Sequence, residues 1–155
     1  MDDSDLTIGA KRNILCERAK GELIVNMDDD DYYAPDYLQK CVDAINSGAD
    51  TTGLRSAYFA DTANQKFWQY EYKGKQPYVI GSGMMYKKSI WERNKFKDIN
   101  VGEDMHFLAV AGRIIPHGSI NSFYARIHGN NTASHNAVKM FNVLNYAIFE
   151  EIFKQ

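Results

Sequence analysis

The stretch ELIVNMDDDDYYAPDYL, residues 22–38, constrains the chain more than any other. Its apolar run, with β-branched Ile24 and Val25, reads as a short strand covered on both faces. Four aspartates, Asp28 to Asp31, follow at once. Two unit charges about 4 Å apart cost roughly 1 kcal/mol in water and about 4 kcal/mol at an effective dielectric of 20. A strand end gains nothing structural from that repulsion. Upstream, IGAKRNILCERAKG spaces Ile8, Ile14, Leu15 and Ala19 as a helix does, with Gly21 as its stop. Downstream, Pro35 opens a helix to about Ser47, with Leu38, Val42 and Ile45 inward. Helix, strand and helix in this order predict an α/β sandwich. Carboxylates at the C-terminal end of its strand lie where open α/β sheets bind ligands.

The middle of the chain changes character. TTGLRSAYFA and KFWQYEYK read as two strands of a hairpin joined by DTANQ, with Trp68, Tyr70 and Tyr72 on one face. YVIGSGMMYKK reads as a further strand, interrupted by Gly81 and Gly83. SIWERNKF and GEDMHFLAVAG are short helices, SFYARIHG a strand, and NAVKMFNVLNYAIFEEIF one amphipathic C-terminal helix. No repeat or proline-rich linker divides the 155 residues, so the expectation is one domain over 1–155, large enough to bury roughly 70% of its unfolded surface.

A net charge of −2 with scattered basic residues argues against a nucleic-acid partner. The acidic start MDDSDLT does not read as a signal peptide, and no apolar run approaches the roughly 18 residues of a membrane span. Cys16 and Cys41 lie far apart without CxxC spacing and read as reduced, buried thiols. These features predict a cytoplasmic protein with no transmembrane segment.

The aspartate loop carries the chemistry. Asp28 and Asp30, two residues apart, project from a tight loop, and hard oxygen ligands suit Mg2+ or Mn2+ completed by substrate phosphates. A solvated acidic loop and a calcium site are the alternatives. EF-hand spacing is absent, with no glycine at the sixth place and no glutamate at the twelfth. Glu103 and Asp104 open a predicted helix, where the dipole favours carboxylate anions.

IGAKRNILCERAKGELIVNMDDDDYYAPDYL resembles the nucleotide-sugar stretch of GT-A fold glycosyltransferases of the inverting family 2. An RN helix, an A-x-G-E turn, an apolar strand, a D-x-D motif and a proline-led helix follow in the family's order. The resemblance implies a GT-A-like, Rossmann-like α/β/α sandwich. Residues 1–50 or so would hold the donor, 51–135 the acceptor, and 136–155 the last helix. It implies Asp30 as the ligand of a metal bridging the donor's diphosphate, with Asp28 and Asp29 on ribose or in the metal shell. Arg12, and less strongly Lys11, would lie against the nucleotide. GSGMMYKKSIWERNKFKDINVGEDMHFLAVAG resembles the acceptor half, with the G-S-G segment containing Gly83 as pocket floor, Asp104 as general base and Glu103 beside it. YARIHGNNTASH resembles the family's H-G-x-N-T-S segment and implies His128 near the metal or diphosphate.

The activity so implied is metal-dependent, inverting transfer of a sugar from a nucleoside-diphosphate sugar to a hydroxyl of a glycan or similar acceptor. Members of the family open with a strand, helix and strand ending in a D-D-x-S-like turn, and MDDSDLTIGAKRN begins at about that turn. An N-terminally truncated domain is therefore expected: a fragment, a reduced domain, or a chain whose sheet is completed by another copy, with a homo-oligomer as the expected state. The rival reading is a non-catalytic module that binds a nucleotide sugar or metal-diphosphate, or half of an assembled enzyme.

Overall fold

The computed structural model describes residues 6–118, 120–128 and 141–154. In chain order the elements are α1 (Ile8–Arg18), β1 (Leu23–Val25), β2 (Tyr32–Tyr33), α2 (Tyr37–Asn46), β3 (Thr51–Thr52), β4 (Ser56–Asp61) and β5 (Lys66–Glu71). Then come β6 (Met85–Lys87), α3 (Lys88–Arg93), α4 (Glu103–Leu108), a 3₁₀ turn (Ile120–Ser122), β7 (Phe123–Arg126), β8 (Asn142–Leu144) and α5 (Tyr146–Phe153).

Two sheets form. One is three-stranded and antiparallel, in the order β1-β6-β3; the other runs β2-β7-β4-β5-β8, with only β4 and β7 parallel. Successive side chains of a strand point to opposite faces, and β6 uses this to separate two cores. Tyr86 enters the cluster of Cys16, Ile90, Trp91, Phe96 and Phe107, under α1, α3 and α4. Met85 enters the cluster of Tyr37, Cys41, Ile45 and Phe123, under α2. The expected layered α/β sandwich is borne out. A third cluster seats α5 on the larger sheet through Phe149, Phe67 and Tyr58.

The hairpin of β4 and β5 is as expected, paired from Ser56↔Glu71 to Asp61↔Lys66. Several expectations need correction. In α1 the buried positions are Gly9 and Cys16, whereas Leu15 is 64% exposed. The inward face is partly polar: Asn13 Oδ1 accepts from Trp91 Nε1 and the Phe96 N–H, and its amide donates to the Phe96 carbonyl. Hydrophobic periodicity cannot find a face whose contacts are hydrogen bonds.

In α2 the helix starts two residues after Pro35, and Tyr37, Cys41 and Ile45 are buried while Leu38 is exposed. Tyr37 sets the rotation, because its hydroxyl donates to the Gly83 carbonyl at 3.0 Å. Strand β1 is half-buried rather than covered on both faces, since among the described residues it pairs only with β6. The strand predicted over Tyr78–Lys88 is reduced to Met85–Lys87. The single C-terminal helix is replaced in its described part by β8 and α5; residues 136–140 lie outside the described residues. There β8 pairs with β5 from Phe67↔Leu144 to Gln69↔Asn142, and the Asn145 side chain caps α5 by accepting the Ala147 N–H. Sheet pairing and a cap win over a helical period.

Candidate active site

The aspartate loop leaves the end of β1 and is fixed from three sides. The Asp28 N–H donates to the Tyr33 hydroxyl at 3.1 Å, and Ser82 Oγ donates to Asp28 Oδ2 at 2.6 Å. Asp30 Oδ2 lies 2.6 Å from His128 Nε2, two residues beyond the end of β7. Asp31 Oδ1 accepts the Arg126 N–H at 2.9 Å. Asp29 is exposed. Burial pushes the Asp31 carboxyl up to about 7; the Arg126 amide opposes the rise, and the charges of Asp28 and Asp30 add to it. Strand β2, absent from the sequence reading, pairs with β7 and so brings His128 to Asp30.

Of the three expected metal ligands, Asp30 and His128 meet while Asp28 turns to Ser82. Among the described residues no group of three or more His, Cys, Asp or Glu side chains is assembled for a metal ion.

Across the smaller sheet, α4 opens with Glu103 buried and Asp104 half-buried. Arg12 Nη1 donates to Glu103 Oε1 at 2.5 Å, and the guanidinium lies 5.5 Å from the Phe96 ring centre. Burial raises the Glu103 carboxyl above its ordinary range, against the lowering pull of Arg12. Arg12, expected against a nucleotide, is thus engaged by Glu103 at the start of α4. Its neighbour Lys11 is exposed. Asp104 Oδ1 accepts the Met105 N–H at 2.7 Å.

Gly81, Ser82 and Gly83 join the two acidic groups. A Cβ on Gly81 would lie 2.7 Å from Asp104 Oδ2, so only glycine lets that carboxylate rest on the backbone. Ser82 holds Asp28. Gly83 adopts φ +79°, and any side chain there would overlap the Tyr37 hydroxyl. The Gly83 N–H donates to the Asn26 carbonyl at 2.6 Å, tying the segment to the end of β1. One three-residue turn therefore touches the aspartate loop on one side and the candidate base on the other.

With that arrangement in view, the comparisons with known proteins decide the family. The profile described as "Glycosyl transferase family 2" matches residues 3–153. The chain belongs to glycosyl transferase family 2. Its fold is similar to the crystal structure of residues 1–349 of TarS from S. aureus, with a TM-score of 0.56 at 19% identity. That alignment covers 77% of this chain and 40% of the TarS chain, and at such identity it shows the fold alone. No curated protein matches.

In this family 2 domain the aromatic strand face is mostly used internally. Tyr72 stacks on Tyr78 at 4.2 Å and 22°, under Arg55, and Tyr70 packs against Phe141 and Tyr78. Trp68 is half-buried opposite Val143. His117 binds Cys41 through Nε2 at 3.1 Å, His106 is exposed, and His135 lies outside the described residues. Both cysteines are free and buried, as expected. No described helix is long and apolar enough to cross a membrane. Sequence reasoning missed Ser82, Tyr33 and Tyr37 as supports of the site. The glycines flanking Ser82 were the available signal, since they mark a close approach of backbone to other groups.

Proposed function

We propose that this family 2 domain transfers a sugar, with inversion, from a nucleoside-diphosphate sugar to a hydroxyl of a glycan or similar acceptor. The observation that carries the reading is the Gly81–Gly83 turn, which sets Asp28 and Asp104 on its two sides. Direct displacement needs donor and acceptor groups side by side, because the reacting atoms meet at about 3–3.5 Å.

Asp104 takes the proton of the attacking hydroxyl as that oxygen bonds to the anomeric carbon. The bond from this carbon to the diphosphate breaks in the same step. General-base assistance of this kind contributes roughly 10²–10⁴-fold. Asp30 and His128, with Asp28 nearby, offer hard oxygens and one imidazole, a donor set that suits Mn2+ or Mg2+ with substrate phosphates completing the shell. When bound there, a divalent ion offsets charge on the leaving diphosphate. Asp29, exposed beside them, is free to meet ribose or metal-bound water.

The test is a thermal-shift screen of nucleotide sugars with and without Mn2+, followed by transfer assays on the donor that binds. Mn2+-dependent stabilisation by one donor class is expected. No stabilisation by any donor contradicts the reading. Binding without transfer to any acceptor favours the rival, a binding module or half of an assembled enzyme.

Association of copies belongs to the same proposal. Strand β1 is an edge of its sheet among the described residues, and Leu15 and Met27 beside it are 64% and 42% exposed. Exposed edges invite strand pairing. Light scattering at micromolar concentration should give a homodimer or larger species; a stable monomer contradicts this.

A further inference from the structure

The loop of residues 72–78, between β5 and the turn 81–83, is exposed yet firmly mounted. Arg55 donates from Nε to the Tyr72 carbonyl at 3.3 Å and from Nη2 to the Gly74 carbonyl at 2.7 Å. Its guanidinium carbon lies 5.2 Å from the centre of the Tyr72 ring, and that ring stacks on Tyr78 at 4.2 Å. A Cβ on Gly74 would overlap the Tyr72 hydroxyl, so glycine lets the loop close over the ring. At the end of the loop Tyr78 packs against the cluster that holds Phe107 and Leu108 of α4, the helix that carries Asp104. Burial, with Tyr70 and the charge of Asp104 adding to it, raises the Tyr78 hydroxyl above its ordinary range. The chain then runs on to Gly81, whose backbone the Asp104 carboxylate touches.

What the mount presents is positive charge. Lys73 and Lys75 are exposed on the loop, as is Arg55. Among the described residues none of the three pairs with a carboxylate. Glu71 is the only acid between Asp61 and Glu92. The tyrosine faces are taken by each other and by Arg55, so the loop offers charge rather than a stacking surface for a sugar ring. Fixing the backbone that carries two cations lowers the ordering cost a ligand meets there. We propose, on the glycosyl-transfer reading, that this loop sets acceptor specificity, with Lys73 and Lys75 selecting a glycan or similar acceptor that bears phosphate or carboxylate groups. The whole chain carries −2, so its overall field does not draw such an acceptor. The loop does so locally, on the side of the sheet where Asp104 stands. Its cations hold the anionic group, and a neighbouring hydroxyl is left to the base.

Calorimetry on the full chain tests this with dextran oligomers of equal length, phosphorylated, carboxymethylated and neutral. Both charged oligomers should bind more tightly than the neutral one, and the tighter of them names the group, phosphate or carboxylate. Raising the salt from about 0.05 M to about 0.5 M should erase most of the difference. Lys73→Gln together with Lys75→Gln should weaken the charged oligomers by about fivefold or more and leave the neutral one unchanged. Both lysines are exposed, so the unfolding temperature of this variant should match wild type. At low salt Asp104→Asn should tighten the charged oligomers alone, because it removes a like charge near the end of the loop. Equal binding of charged and neutral oligomers, no binding of any, no loss in the double variant, or no response to Asp104→Asn overturns the inference. If a nucleotide sugar still stabilises the protein with Mn2+, the functional reading survives that result. Charged oligomers that bind while no nucleotide sugar does overturn both.

Discussion

The two acidic groups of this domain are handled in opposite ways. In the loop Asp28–Asp31 the carboxylates are met by a serine hydroxyl, an imidazole and a backbone amide. At the start of α4, Glu103 is buried and answered directly by a guanidinium. Burial is the main cause of the raised Asp31 carboxyl in the loop, and the charges of Asp28 and Asp30 add to it. The α4 turn has had its charge settled inside the fold.

Removing the proposed base, Asp104, is the sharpest way to separate the two regions. Asp104→Asn keeps size and much of the hydrogen bonding but cannot take a proton. Transfer should fall by about 10² or more with donor affinity retained, whereas Glu103→Gln should cost transfer less. Near wild-type transfer by Asp104→Asn, measured with an active donor–acceptor pair, removes the base from α4 and with it the contrast.

The next largest effect breaks the turn that joins the regions. Gly83→Ala places a Cβ at φ +79° and into the Tyr37 hydroxyl. It should destabilise by about 2 kcal/mol or more and weaken both donor and acceptor functions together. A urea midpoint unchanged from wild type shows that the turn does not depend on this glycine.

A smaller effect checks that acid sensitivity at moderate pH comes from neither region. Burial lowers the His117 pKa from 6.5 to about 4, with Lys40 adding to the shift. The unfolded chain then binds more protons between those values, so stability contributed by neutral His117 is lost as pH falls from about 6.5 to 4. His117→Gln should flatten the decline in urea midpoint over that window and leave nucleotide binding intact. An unchanged slope assigns the decline to a group other than His117, and not to Asp31, whose raised carboxyl adds stability as pH falls through about 7.

Much of this was legible in the sequence because it rests on local signals. The apolar run before Asp28 falls on β1 and Glu103–Asp104 on the first turn of α4, while the glycines around Ser82, read as interruptions of a strand, mark a turn beside the aspartate loop. What stayed hidden depends on distant partners. Nothing near Arg12 announces that its counter-ion is 91 residues away. The inward face of α1 is set by Asn13 bonding to Trp91 and Phe96, which no apolar period reports. Residues 142–144 fit a helical pattern, yet the open edge of β5 recruits them as a strand. Tyr32 and Tyr33 are too short a strand to recognise alone, and pairing with β7 gives them their role.

If the aspartate loop holds a metal-diphosphate as proposed, Asp30 is the residue whose removal shows it. Calorimetry of the best-bound nucleoside diphosphate with and without Mn2+, on wild type and Asp30→Ala, measures it directly. The account predicts that Mn2+-dependent affinity disappears in Asp30→Ala while the unfolding midpoint is kept. Equal affinity of the two proteins for the nucleotide in the presence of Mn2+ would contradict it.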